Sequence, residues 1–211
     1  TYKFLCQAAT FIGVETTFCG DEFPFIVQNR TMAGQFSAHV MTSIISGFII
    51  SFPYILYEFW KFISPGLLEK EKAKSRGFIF VSSLLFFIGV LFGYYIISPL
   101  SINFLGTYQV SSQVLNEIDL GSFISLVRSS AIASGIIFEL PIIIYFLTKA
   151  GVVTPESLVK YRKYALVLVL VLAAIITPPD VASQIIVAIP IVVLYQVSIF
   201  ISRIVIKNQT K

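Results

Sequence analysis

The chain has 211 residues, of which 56% are apolar and only 12% charged, with a mean hydropathy of +0.88. A soluble domain carries roughly twice that charged fraction, which excludes ordinary soluble packing and marks an all-α, polytopic integral membrane protein. The apolar runs are long and continuous rather than alternating over ~10 residues, which excludes a transmembrane β-barrel.

Residues 1–38 read as an external cap. Its GDEFPF stretch (Gly20–Phe25) is turn-like, and its aromatics suit a membrane interface. Cys6 and Cys19 lie within it, and the sequence leaves open whether they pair or remain two thiols. His39 is the only histidine, and no Cys/His set has metal-ligand spacing, so neither a metal nor another cofactor is expected.

Five apolar segments follow, at about 39–60, 77–97, 123–147, 165–176 and 181–200. Four approach the ~20 residues that a bilayer core requires. The fourth does not, and its residues reach only about 18 Å at 1.5 Å each. Twelve lysines and arginines fall in the loops 61–76 and 149–164 and in the tail 201–211, against two (Lys3 and Arg30) on the other side. The positive-inside bias therefore predicts cytoplasmic basic loops, a cytoplasmic C-terminus and an external residue 1–38 segment. An external start without a signal-peptide pattern implies a further span upstream, hence a six-span parent with five spans present. The pI near 9.0 is accounted for by this topology and calls for no nucleic acid.

The polar residues inside the apolar runs carry the functional reading. GVLFG (Gly89–Gly93) has the spacing that lets two helices approach closely, or marks a plain core contact. In loop 61–76, Ser64 and Pro65 fit the start of a short helix, and Glu69 and Glu71 stand among lysines. The loop is either simply solvated or an acidic receptor for a basic ligand, since a carboxylate holds an arginine fork that lysine cannot reproduce. Arg128 and Glu139 lie on one face of the third span, about three turns and ~16 Å apart, with Ser130 and Ser134 between them in height. The stripe either lines an interhelical groove, or Arg128 snorkels to headgroups while Glu139 packs inside the bundle. Pro141 predicts a kink beside Glu139. IITPPDVASQ (Ile175–Gln184) closes a tight hairpin. Its prolines end one helix, Asp180 caps the next, and Gln184 lies one turn on, where a neighbouring transmembrane helix could dock. There is no HExxH, P-loop, GxSxG or aspartate pair for intramembrane proteolysis, and no internal repeat of the kind secondary transporters often show.

Taken in order, WKFISPGLLEKEK, SSLLFFIGVLFGYYIISPL, FELP, GVVTPESLVKYRKY and AAIITPPDVASQ resemble the TatC family, the receptor and core subunit of the twin-arginine protein translocase. The resemblance runs from about Phe36 to the C-terminus. It implies a six-helix, glove-shaped bundle with a concave groove, in the bacterial cytoplasmic (inner) membrane. It implies binding of the twin-arginine signal peptides of folded proteins, assembly with single-span TatA and TatB and with other TatC copies, and transport driven by the proton-motive force. No enzymatic activity is implied. On this resemblance Phe62 and Glu71 form the signal-peptide site, Glu139 is the acid of the intramembrane groove or partner contact, and Asp180 and Gln184 are the docking point for a partner helix. Glu69 joins the signal-peptide site as the second acid of its loop, and Arg128, unusual for the family at its position, joins Glu139 only through the shared helix face. The family's usual glutamate in the last helix is replaced here by Tyr195–Gln196, and any role of that acid passes to Gln196. The alternative is a secondary transporter or proton channel that uses Glu139 and Arg128 as a relay.

Overall fold

The computed structural model describes residues 25–63, 75–111, 116–176 and 181–209. Strand β1 (Ile26–Gln28) leads into α1 (Gly34–Ile63), followed by α2 (Ser75–Phe92), a π-helical turn (Gly93–Ile97) and α3 (Ser98–Thr107). Strand β2 (Glu117–Asp119) enters α4 (Leu120–Phe138), and then come α5 (Leu140–Lys149), α6 (Pro155–Lys160), α7 (Arg162–Ile176) and α8 (Val181–Gln209).

Four helical stretches are long and apolar enough to cross a membrane, at Gly34–Phe62, Ile79–Thr107, Leu120–Lys149 and Gln184–Lys207. The helix α7, which covers the fourth expected segment, has 15 residues and reaches only about 22 Å.

Several boundaries differ from the sequence reading. The second segment does not stop at Ile97. Pro99 has no amide to give and would crowd the Tyr95 carbonyl in a regular helix. The chain instead widens by one residue at Gly93–Ile97, where the Gly93 carbonyl accepts both the Ser98 amide and, at 2.8 Å, the Ser98 hydroxyl. The helix then continues to Thr107. At the other end of the chain, residues 201–209 extend α8 rather than forming a separate tail. The expected loop 149–164 contains α6, whose start is closed by a reciprocal Thr154–Ser157 capping box.

The bundle is packed inside out relative to a soluble protein. Its buried positions are mostly small: Ser82, Ser98, Ser130, Ser134, Ala131, Ala173, Ala188, Ser198 and Ser202. Large apolar side chains such as Phe36, Ile50, Phe80, Leu168 and Phe200 face outward. Lipid tails are as apolar as leucine, so helices gain by close backbone approach rather than by hiding leucine from water. The α2–α4 contact shows how. A Cβ at Gly89 would strike Phe138 and the Ser134 carbonyl, and one at Gly93 would strike the backbone of Ser130 and Ala131. From the opposing side, Gly135 receives Phe86 and Val90. GVLFG is therefore a close-packing seam rather than a plain core contact.

The helix α1 packs on α2 and α4. Phe52 stacks on the fully buried Phe86 with ring centroids 3.5 Å apart. A second core joins the π-turn to the α7–α8 hairpin through Ile97, Val169, Ala173, Val187 and Ile191. One end of the molecule is closed by the parallel β1–β2 pair, which sets Ile26 opposite Glu117 and Gln28 opposite Asp119. There Asn116 donates to the carbonyls of Gly106 and Tyr108, at 2.9 and 3.0 Å, and fixes the end of α3.

Candidate functional site

Glu139 sits at the break between α4 and α5. Pro141 cannot donate to the Ile137 carbonyl, so α4 ends at Phe138 and Glu139 occupies the turn. The bend aims the side chain at α2. The Ser82 hydroxyl, wholly buried, donates to Glu139 Oε2 at 2.6 Å. Glu139 itself is 9% exposed, and its Oε1 has no partner among the described residues. The residue is thus held within the bundle by one interhelical clasp, with one acceptor atom unspent, rather than standing open in a groove.

Arg128 lies three turns away on α4 and does not meet Glu139. Ser130 and Ser134, expected to join them in a polar stripe, are both 2% exposed and pressed into the glycine seam with α2. No polar path links the arginine to the acid along this helix, which removes the geometric basis of a Glu139–Arg128 relay. Arg128 instead lines an open concavity of about 650 Å³ at the strand-capped end of α4, with Ser122, Ser125 and Ser129.

Of the expected signal-peptide residues, Phe62 is near the end of α1 and is 83% exposed. Its neighbour Lys61 approaches Glu58 at 3.9 Å. Glu69 and Glu71 lie outside the described residues, as does Asp180. Gln184 is on the first turn of α8. Its Nε2 donates to the Leu170 carbonyl of α7 at 3.0 Å, so one N–H of the amide serves the hairpin, and its second N–H and its oxygen remain for another helix.

Sequence reasoning missed three polar ties. One is Ser82, whose signal was the Ser82–Ser83 pair inside an otherwise apolar run. The second is the corner that holds α6 and α7 on α8. There the Tyr195 hydroxyl donates to the Leu158 carbonyl at 2.8 Å. With the Gln196 amide oxygen turned toward α7, it accepts from Arg162 Nε at 2.7 Å and from Nη2 at 2.5 Å. The third is Thr148, whose hydroxyl donates to Ser202 Oγ at 2.9 Å between α5 and α8. Nothing local marks the last two, because their partners are 34 to 54 residues away or are backbone carbonyls.

Small buried residues, outward apolar ones and interhelical hydroxyl clasps define a multi-span α-helical membrane protein. The family description "Sec-independent protein translocase protein (TatC)" matches residues 3–190. The chain belongs to the TatC family and is a subunit of the Sec-independent protein translocase.

A TatC of Blattabacterium sp. subsp. Periplaneta americana (strain BPLAN) is 50% identical over 183 residues, 87% of this chain and 69% of that protein. The TatC of Aquifex aeolicus (strain VF5) is 44% identical over 167 residues, 78% of this chain and 68% of that one. A crystal structure described as the twin arginine translocase receptor TatC superposes with a TM-score of 0.70 at 36% identity, covering 97% of this chain and 86% of the other.

Proposed function

We propose that this subunit receives the twin-arginine signal peptides of folded proteins at the end of α1 and the loop that follows it. Phe62 supplies an apolar contact, and Glu69 and Glu71 supply carboxylates for the paired guanidinium groups. The observation that carries this reading is the superposition on a structure described as a twin arginine translocase receptor, together with the exposed Phe62 at the end of α1. A carboxylate accepts two parallel bonds from each arginine, which explains a preference over lysine.

The same reading places the chain in the bacterial inner membrane, with its C-terminus and basic loops in the cytoplasm and residues 1–38 outside. It assembles there with TatA, TatB and further TatC copies, and the proton-motive force drives transport. A partner helix docks at Asp180 and Gln184, using the Gln184 oxygen that the hairpin leaves unspent. Glu139 stays inside the bundle as the clasp to Ser82 rather than meeting the partner helix. Arg128 is separated from it and serves elsewhere.

The test is site-specific crosslinking from position 71 in membranes, with a signal peptide carrying an arginine pair and the same peptide carrying a lysine pair. Crosslinking confined to the arginine form supports the receptor. Equal crosslinking to both, with the protein folded, makes Glu71 an ordinary loop charge.

A further inference from the structure

The concavity at the strand-capped end of α4 has no part in the reading above. Among the described residues it is lined by Ser122, Ser125, Leu126, Arg128 and Ser129, with the Asp119 cap at its mouth. The three serines recur three and four residues apart, so they share one face of the helix, and all three are exposed. This face belongs to a stretch apolar enough to cross a membrane. Arg128 lies about 12 Å along it from the start of α4. Its Nη1 is buried and has no hydrogen-bond partner among the described residues.

The two described acids nearby, Glu117 and Asp119, are already answered. Glu117 pairs with Arg30 at 3.4 Å. Asp119 Oδ2 accepts from the Gly121 and Ser122 amides at 2.9 and 3.3 Å, and its Oδ1 lies 3.5 Å from the Arg30 amide. The helix N-terminus is therefore satisfied by its own cap, and among the described residues the uncompensated charge at this end is the Arg128 guanidinium.

We propose that Arg128 is the cation of a binding site for the phosphate of a membrane lipid headgroup, in the leaflet at the strand-capped end. A guanidinium fork matches two oxygens of a phosphodiester. The Ser122 and Ser125 hydroxyls supply further donors on the same face, whereas Ser129 spends its proton on the Ser125 and Leu126 carbonyls. A ligand at this depth is amphiphilic: its head meets the polar concavity while its tails lie along the apolar flank of the helix. An arginine placed below the interface is met from above by the headgroup toward which its side chain reaches.

The test is lipid titration of the whole chain in detergent, read by native mass spectrometry. The probes are dioleoylphosphatidylglycerol and dioleoylglycerol, which share their tails and differ by the glycerophosphate headgroup. The wild type is expected to bind the phospholipid about tenfold more tightly than the diacylglycerol. Arg128→Gln brings the two to equality, and Arg128→Lys retains part of the difference. The Ser122→Ala/Ser125→Ala pair weakens phospholipid binding about two- to fivefold and keeps the test alive if Arg128→Gln fails to fold. Equal phospholipid binding by the wild type and a folded Arg128→Gln overturns the proposal, as does equal wild-type affinity for the two lipids. Displacement of the phospholipid by inorganic phosphate at matched concentration also overturns it, by making this a free-anion site.

Discussion

Removing the Ser82 hydroxyl isolates the Glu139 clasp. Ser82 is fully buried and Glu139 9% exposed, and the bond between them is 2.6 Å. In Ser82→Ala the carboxyl loses its donor. A bond to an acid in a soluble core is worth about 1.5–3 kcal/mol, whereas interhelical bonds in membranes average about 0.6 and reach about 1.7. The short distance and the burial place this one near the upper membrane value, so Ser82→Ala should cost about 1–2 kcal/mol. Adding Glu139→Leu removes the unpaired acid as well. The double variant should then be at least as stable as Ser82→Ala, with a coupling of about 1 kcal/mol between the two sites. Unfolding of all four proteins by SDS in mixed micelles measures the cycle. Additive losses, with coupling below about 0.3 kcal/mol, refute the clasp.

The glycine seam gives a contrasting pair: Gly93→Ala drives a Cβ into the Ser130 and Ala131 backbone and should cost about 1–3 kcal/mol, while Gly47→Ala meets nothing within 4 Å and should gain up to about 1 kcal/mol, both read in the same SDS titration. Tyr195→Phe deletes the donor to the Leu158 carbonyl and should cost about 0.5–1.5 kcal/mol, with faster proteolysis of the α6–α7 corner as an independent readout. Glu71→Ala should weaken binding of an arginine-pair signal peptide about tenfold without altering stability, and unimpaired export of such a substrate would remove Glu71 from the site. Gln184→Leu should lose the bond to the Leu170 carbonyl and, on the docking reading, also partner-helix crosslinking at this turn. A loss of hairpin stability with normal crosslinking confines Gln184 to the hairpin.

The class of protein was legible from composition alone, because few charges and long apolar runs have one stable solution in water and lipid together. The break at Pro141 and the seam at Gly89–Gly93 were legible for a similar reason. Each depends on what a residue lacks, an amide proton or a Cβ, and that is local chemistry. The resemblance to TatC rested on motifs that survive as strings.

What only the tertiary structure decided is which polar residues meet. Arg128, Ser130, Ser134 and Glu139 all lie within about three turns of sequence, yet the fold sends the serines into the α2 seam, the acid to Ser82 and the arginine to an outward concavity. A helical period fixes the face a side chain shares, but not the helix that comes to cover it. The continuation through Pro99 belongs to the same class. The proline predicts trouble for a regular helix, and only the packed bundle determines that a one-residue π-turn, rather than a stop, resolves it.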